Sequence, residues 1–301
     1  MKAVVLKGYG AVENLEVTDV PEPKVGPREV KVRVGAASIN PVDYKARRGD
    51  LRAWMPLDLP AILGRDAAGE VVEVGSEVDA FAVGDRVMGL VWQAYAEFVV
   101  APAESFAKML PEMEMDEAGA LPLVGLTGAQ LIEDTMDVQE GNVVLVTGAV
   151  GSVGRVAVFA AKQRGAKVIA GVRSSQKQMA EALDAESIIA LDDPNELSHL
   201  PPLDAIADTV NGQVIESVLG KLKPKGTLGT VLGEPRSAKE RGILVRTMLG
   251  HPDSRRLAEL GESVARGHLE LRIQERFPLS EVRLAHELAE QSNVGKILLL
   301  V

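Results

Sequence analysis

The sequence predicts an α/β protein of two domains, a turn-rich β domain followed by a doubly wound parallel sheet covered by helices. Short apolar or alternating segments, separated by prolines and glycines, fill residues 1–110. From Asp116 onward, helical patterns alternate with short apolar segments, which is the βαβ rhythm of a parallel sheet. The stretch Asn142–Gly154 joins an apolar strand, three glycines and the start of a helix. These three observations carry the prediction.

The first domain is predicted from short strands bounded by turn residues such as Pro21, Pro23 and Gly26. The predicted strands are Lys2–Leu6, Leu15–Val20, Val30–Ala36, Glu70–Val74, Arg86–Leu90 and Ala94–Val100. Elements this short favour an all-β domain over a doubly wound sheet.

Helices and strands alternate in the second part of the chain. The predicted elements are Asp116–Leu121, Leu126–Met136, Val143–Thr147, Ser152–Arg164, Lys167–Val172, Ser175–Leu183, Ser187–Ala190, Ala205–Val210, Val214–Leu222, Thr227–Leu232 and Leu257–Ala265. The tail follows with Leu269–Arg276, a helix over Ser280–Gln291 and a strand over Lys296–Val301. The pattern of this tail is more like that of the first domain than that of the second, so we expect the chain to return to the β domain.

The glycine stretch has the parts of a dinucleotide site. The apolar run Val143–Val146 is typical of a strand buried on both faces, and a helical pattern starts directly after the glycines. In a Rossmann domain such a helix N-terminus faces the cofactor pyrophosphate. The spacing is GxxGxxG instead of GxGxxG, so a plain packing turn is the alternative, and the alternating sheet around it favours the phosphate site. The predicted binding residues are Gly148, Ala149, Val150, Gly151, Ser152, Val153 and Gly154.

Composition narrows the possible functions. The formal net charge of −10 argues against nucleic acid or an anionic membrane as partner, and it requires local groups to hold an anionic cofactor. The chain has no cysteine, which excludes disulfides, thiolate zinc sites and cysteine nucleophiles. It shows neither a signal-peptide pattern nor an apolar run of membrane-spanning length, so we expect a cytoplasmic protein.

Three polar residues after the strand Lys167–Val172 predict the type of nicotinamide cofactor. In a Rossmann unit, an acid at this strand end would bind the 2′-hydroxyl of NAD. Here Arg173, Ser174 and Lys177 offer positive charge and a hydroxyl for the 2′-phosphate of NADP(H). The alternative is that Arg173 and Lys177 are solvated residues opening a helix, although a cation there opposes the helix dipole.

Several motifs in order along nearly the whole chain resemble the medium-chain dehydrogenase/reductase superfamily, within it the zinc-independent quinone oxidoreductase and alkenal-enone reductase group. They are Asn40-Pro-Val-Asp-Tyr-Lys45, Arg48-Gly49, Gly64-Arg-Asp-Ala-Ala-Gly-Glu-Val71, Val74-Gly75, Phe81, Gly84-Asp-Arg-Val87, Ala120-Leu-Pro122 with Thr127, Gly148–Gly154, and Gly295-Lys296. The resemblance implies a GroES-like catalytic domain plus a Rossmann domain. We place their boundaries at 1–117 with 266–301, and at 118–265.

The chain differs from the zinc-dependent alcohol dehydrogenases of this superfamily at the positions that bind their catalytic zinc. Those enzymes carry a Cys near position 40 and Gly-His-Glu where this chain has Gly64-Arg65-Asp66. With Arg65 in the histidine position and no cysteine, the catalytic zinc lacks its ligands. We therefore expect no metal. The four histidines are scattered and show no metal-binding spacing.

The resemblance also implies the residues of the active site. Asn40 and Lys45 are expected to donate toward the nicotinamide ribose or a developing oxyanion, with Tyr44 as an alternative donor or as a core aromatic. Thr127 is expected to reach the cofactor. Val231, Leu232 and Gly233 should approach the nicotinamide, because ligands bind at the carboxyl ends of such strands.

The expected acceptor pocket lies in the interdomain cleft, near Tyr44 and Lys45, under a loop formed by Gly49–Pro60. Trp54 and Trp92 either line this pocket or serve packing alone.

The predicted function is NADPH-dependent hydride transfer to a small-molecule quinone or α,β-unsaturated carbonyl, with no covalent intermediate. The alternatives are an enoyl-type reductase and a non-enzymatic NADPH-binding redox sensor or structural protein. Family members are commonly homodimers joined at the Rossmann sheet edge, for which Thr227–Leu232 and Gly242–Leu249 are candidates.

Overall fold

Two units make up the chain in the computed structural model, which describes residues 1–291 and 295–301. The first comprises Met1–Leu123 and His251–Val301, and the second Val124–Gly250. The predicted fold class is confirmed, with a β-rich GroES-like unit and a Rossmann-like parallel sheet. The units differ from the predicted domain boundaries mainly at the helix Ser254–Ala265, which belongs to the first unit.

In residues 1–123 the strands of the first unit pair antiparallel. Its strands are β1 (Lys2–Leu6), β2 (Leu15–Asp19), β3 (Glu29–Ile39), β4 (Ala61–Ile62), β5 (Asp66–Val74), β6 (Arg86–Leu90), β7 (Phe98–Pro102) and β8 (Phe106–Lys108). Its helices are α1 (Pro41–Arg48), α2 (Met115–Ala120) and the start of α3 (Pro122–Gln130), which crosses into the second unit.

The second unit alternates strands and helices. Its strands are β9 (Val143–Thr147), β10 (Lys167–Val172), β11 (Ser187–Ala190), β12 (Leu203–Asp208), β13 (Leu222–Thr230) and β14 (Leu244–Thr247). Its helices are α4 (Ser152–Gln163), α5 (Lys177–Ala180), α6 (Pro194–Ser198), α7 (Gly212–Val218) and α8 (Arg236–Glu240). The strands pair in parallel in the order β11-β10-β9-β12-β13-β14 within the described ranges. The apolar runs read from the sequence form its buried centre, which includes Leu145, Ile169 and Ile206.

The chain then returns to the first unit, as predicted. The returning elements are α9 (Ser254–Ala265), β15 (Ile273–Pro278), α10 (Val282–Gln291) and β16 (Lys296–Leu300). β16 pairs antiparallel with β3, placing Leu298 opposite Ser38. Among the described residues, none of the helices has the length and apolar character needed to cross a bilayer.

Helix α1 was not predicted from the hydrophobic pattern, because eight residues are too few to display a clear period. Its ends are nevertheless encoded locally. Pro41 occupies the first turn, and the Asp43 carboxylate accepts a hydrogen bond from the Asn40 amide at 2.8 Å. Gly49 ends the helix with a φ of 87°, the left-handed conformation that glycine adopts without strain.

Candidate functional site

The glycine turn between β9 and α4 leaves no room for side chains at two of its positions. A Cβ on Gly154 would lie 2.2 Å from the carbonyl oxygen of Gly148, and Gly148 itself has a φ of +64°. Helix α4 therefore begins directly against the turn, and its first N–H groups, at Ser152, Val153 and Gly154, have no partner within the helix. Such a helix start binds anions. The turn and the first residues of α4 comprise the seven residues predicted to bind a pyrophosphate, and their binding role stays a prediction.

Thr127 lies on α3 close to this turn. A Cβ on the next residue, Gly128, would come within 2.7 Å of the Val153 carbonyl oxygen. Gly128 of α3 thus approaches the first turn of α4, and its neighbour Thr127 is buried. The position agrees with the expected role of Thr127 near the cofactor, which stays a prediction.

The carboxyl ends of β9, β12 and β13 are tied together by Asp208, a buried residue that the sequence analysis did not single out. Its carboxylate accepts hydrogen bonds from Thr147 Oγ1 at 2.9 Å, Thr230 Oγ1 at 3.1 Å and the Asn211 amide at 3.0 Å. The available signal was an acid ending an apolar strand. Asp208 therefore orders the edge of the sheet at which Rossmann domains bind ligands.

The residues Val231, Leu232 and Gly233 follow β13, whereas the sequence pattern placed the first two within the strand. β13 ends at Thr230, whose hydroxyl accepts a hydrogen bond from the Leu232 amide at 3.1 Å. Leu232 and Gly233 are exposed. They lie past the carboxyl edge, on the side of the sheet expected to face the cofactor.

The three residues predicted for the 2′-phosphate lie together after β10, but two of them have acidic partners. Ser174 donates through both its amide and its hydroxyl to Asp192 Oδ1, each at 2.7 Å. Lys177 donates to Glu196 Oε1 at 2.8 Å. Arg173 is exposed. The sequence analysis did not predict these two carboxylates.

A buried polar network in the first unit surrounds Asp66. Asp66 Oδ2 accepts hydrogen bonds from Ser38 Oγ at 2.5 Å and from Asn40 Nδ2 at 2.8 Å, and Oδ1 accepts from the Leu123 amide at 2.6 Å. The ammonium of Lys296 donates to Asn40 Oδ1 at 2.6 Å and lies 3.5 Å from Asp66 Oδ2. Burial lowers the pKa of Lys296, while the carboxylates of Asp66 and Asp43 raise it.

Asp43 adds a second buried carboxylate to this region. Its Oδ2 accepts from the Asn40 amide and from the Tyr95 hydroxyl, the latter at 3.0 Å. Burial raises the pKa of Asp43 from 3.8 to about 6, and the negative charge of Asp66 adds to this effect.

The three predicted catalytic residues have different surroundings. Asn40 is 1% exposed, and both ends of its amide are engaged in the network around Asp66. Tyr44 is half-buried against the first-unit core, with its ring 5.4 Å from the Arg48 guanidinium. Lys45 is half-buried, and its ammonium has no hydrogen bond or ion pair to any residue that the structure describes. In the part of the chain that the structure describes, the Lys45 ammonium and the Tyr44 hydroxyl thus keep donors without a hydrogen-bond partner, whereas the Asn40 amide does not.

Arg65 and Trp92 line a cavity of about 670 Å³ in the first unit. The Arg65 guanidinium stacks 3.6 Å from the centre of the Trp92 ring, and its Nε donates to the Val91 carbonyl at 2.9 Å. Its terminal nitrogens have no partner in the described part of the chain. In the sequence analysis Arg65 appeared only as the residue that replaces the zinc-binding histidine, and it was not predicted to bind a ligand. Trp54, by contrast, is 55% exposed in the segment after α1.

The residues around Asp66 do not suit a divalent metal. Among residues 1–291 and 295–301, no group of three histidines, cysteines or acids could hold an ion. The Lys296 ammonium is already hydrogen-bonded within the network, and the guanidinium of Arg65 adds a second positive charge nearby. A divalent cation would have to displace the ammonium.

Two family descriptions match the chain. Residues 26–112 match an alcohol dehydrogenase GroES-like domain, and residues 183–299 match a zinc-binding dehydrogenase. These ranges agree with the β-rich unit and with the second half of the chain.

Curated relatives and a solved structure extend along the entire chain. A quinone oxidoreductase of Pseudomonas aeruginosa is 32% identical over 326 residues, which covers 99% of each chain. A 2-haloacrylate reductase of Burkholderia sp is 27% identical over 328 residues, covering 99% of this chain and 98% of the reductase. The structure of a quinone oxidoreductase from Coxiella burnetii matches with a TM-score of 0.89 and 33% identity, covering 100% of this chain and 99% of that one.

Proposed function

The chain belongs to the quinone oxidoreductase group of the medium-chain dehydrogenase/reductase superfamily, and we propose that it transfers hydride from NADPH to a quinone or an α,β-unsaturated carbonyl compound without a metal. The observation that carries the proposal is the glycine turn, where a Cβ on Gly154 would lie 2.2 Å from the Gly148 carbonyl oxygen. The turn brings a helix N-terminus to the surface with the shape that a dinucleotide requires.

The residues proposed to hold the cofactor all lie in the second unit. The amides of Ser152, Val153 and Gly154 bind the pyrophosphate, and Thr127 contacts the cofactor beside them. Val231, Leu232 and Gly233 lie toward the nicotinamide, and Arg173, Ser174 and Lys177 lie toward the 2′-phosphate. When bound, the nicotinamide supplies the hydride.

The acceptor is proposed to bind where the first unit offers cations with free donors. Hydride addition to a quinone or enone leaves negative charge on a carbonyl oxygen, which positioned donors stabilise. Arg65 and Lys45 both have such donors, and the indole of Trp92 offers a flat surface for a ring or conjugated system. The 2-haloacrylate reductase among the relatives supports an unsaturated carbonyl acceptor. Asn40, held by Asp66 and Lys296, is proposed to fix the start of α1 and thereby the position of Lys45.

The activity is tested by following NADPH consumption with phenanthrenequinone, a short alkenal and 2-chloroacrylate. Turnover with at least one of them is expected. Tight NADPH binding without turnover on any of the three would favour the non-enzymatic alternative.

The acceptor site is tested with Arg65→Met and Lys45→Met, each compared with Lys24→Met, which removes an equal charge at an exposed position. We expect a loss of about tenfold or more in kcat for the variant that removes an oxyanion donor. An unchanged kcat with a raised KM for NADPH would assign Lys45 to cofactor binding instead.

Metal independence is supported by the Lys296 ammonium beside Asp66. We expect activity to survive dialysis against a strong chelator, with less than about one zinc per ten chains by elemental analysis, as the occupied donor set predicts. Loss of activity on chelation, restored by Zn²⁺, would contradict the proposal.

A homodimer is proposed through the outer edge of β14. In the described residues this strand pairs on one side only, with β13, and Leu244 and Leu249 nearby are 50% and 67% exposed. Light scattering after size exclusion should give twice the chain mass, and Leu249→Asp should shift it toward the monomer. A monomeric parent protein would contradict the proposal.

A further inference from the structure

The carboxylate of Asp192 lies near the end of β10 in space, although no acid directly follows β10 in the sequence. β11 runs parallel to β10 with Ala190 opposite Val172, and the Leu191 amide donates to the Val172 carbonyl at 2.8 Å. The two strands therefore end side by side. As a result, Asp192 reaches Ser174, which precedes it by 18 residues in the chain.

Asp192 occupies the donors that a 2′-phosphate would use. Its Oδ1 accepts from both the amide and the hydroxyl of Ser174, each at 2.7 Å. These hydrogen bonds lower the pKa of Asp192, with Arg173 contributing, so the side chain is a carboxylate at neutral pH. A phosphate arriving here would meet a negative charge and lose two hydrogen-bond donors.

Glu196 affects Lys177 in a similar way but is held more firmly. One of its oxygens accepts from Lys177 at 2.8 Å and the other from the Ala190 amide at 2.8 Å. The two cations of the predicted phosphate site thus face two carboxylates, and their formal charges cancel. Glu196 has both oxygens engaged within the fold, whereas Asp192 is exposed and available to a ligand.

We propose that Asp192 determines the cofactor preference, opposing the 2′-phosphate of NADPH and accepting a hydrogen bond from the 2′-hydroxyl of NADH. In Rossmann domains a carboxylate beside this strand end recognises the adenine ribose of NAD. Here the neighbouring strand supplies it, while Arg173 and Lys177 still attract a phosphate. The chain consequently discriminates only weakly between the two cofactors. This inference rests on the proposed function, since it concerns the same cofactor site.

The test measures dissociation constants for NADPH and NADH by cofactor fluorescence, on the full chain and without an acceptor. Asp192→Asn removes the charge but keeps an oxygen that can accept from Ser174, and Asp192→Ser removes the carboxylate altogether. Glu186→Gln is the matched control, because Glu186 is exposed and precedes the opposite end of β11. We expect Asp192→Asn to tighten NADPH about tenfold and to weaken NADH severalfold, with the control within about twofold.

A fragment competition locates the effect at the 2′ position. The dissociation constant of adenosine 2′,5′-bisphosphate, obtained by competition and corrected for each protein's own NADPH affinity, should fall for Asp192→Asn relative to the parent protein, whereas that of adenosine 5′-monophosphate should not. A ratio of NADPH to NADH affinity that both Asp192 variants leave unchanged would overturn the inference alone. Failure of the parent protein to bind either cofactor would overturn the proposed function together with it.

Discussion

Asp43 provides a pH-dependent test of the buried network in the first unit. The residue is 3% exposed, and its pKa is raised by burial from 3.8 to about 6. The native state thus binds the proton more tightly than the unfolded chain does. Stability contributed by the protonated group is fully present below the unfolded pKa, and it is lost as the pH rises through the folded pKa.

The size of the effect follows from the shift. A shift of roughly two pKa units means that the parent protein loses about 3 kcal/mol of unfolding free energy between low and neutral pH. About 1 kcal/mol of this is already lost near pH 4.5. In the Asp43→Asn variant, the amide oxygen can still accept from the Asn40 amide and the Tyr95 hydroxyl, so the substitution removes the charge alone. Relative to the parent protein, the variant should therefore gain about 2 kcal/mol of stability between about pH 4.5 and pH 8.

Urea unfolding followed by tryptophan fluorescence measures this gain. The two tryptophans of the chain, Trp54 and Trp92, both lie in the first unit and report its unfolding directly. Asp58→Asn, at an exposed position in the same unit, serves as the control for the loss of one carboxylate. A stability difference between Asp43→Asn and the parent protein that is independent of pH, or that falls as the pH rises, would refute the reasoning.

The remaining predictions concern three buried positions. Lys296→Met leaves the Asp66 carboxylate without its ammonium, and urea unfolding should show that the free energy of unfolding falls by about 3–5 kcal/mol. The double variant Lys296→Met with Asp66→Asn should recover much of this loss. Strictly additive losses of the two substitutions would contradict the coupling. Neither ring nitrogen of His286 has a partner in the described ranges, and burial lowers its pKa to about 3. His286→Leu should therefore keep the unfolding free energy or raise it by about 1 kcal/mol, and a large loss would reveal a polar role. Gly154→Ala should abolish NADPH binding in a fluorescence titration, since its Cβ would contact the Gly148 carbonyl oxygen at 2.2 Å; unchanged affinity would remove the turn from the cofactor site.

Features encoded by neighbouring residues were predictable from the sequence. The strand β9, the glycine turn and α4 form one continuous segment, and the pattern predicted it almost to the residue. The return of the tail to the first unit was also predicted, from the style of its final strand. The short helix α1 was missed because its caps, and not its period, define it.

Contacts between residues that are far apart in the sequence could not be predicted from the spacing of motifs. Asn40 was expected to face the cofactor, but its amide is engaged by Asp66 and Lys296, the latter 256 residues away. The cofactor prediction considered only residues that follow β10 in the chain. Asp192 follows the neighbouring strand, and its contact with Ser174 results from the parallel pairing of β10 and β11.

The order of the chain also has a consequence for synthesis on the ribosome. The second unit is one continuous segment, and it can complete its sheet while the tail is still being translated. The first unit cannot, because β16 pairs with β3 and Lys296 compensates Asp66. Until residues 296–300 have been synthesised, Asp66 lacks the ammonium of Lys296, and the edge of β3 that pairs with β16 has no partner strand. The nascent β-rich unit therefore stays incomplete until the residues of β16 have been synthesised.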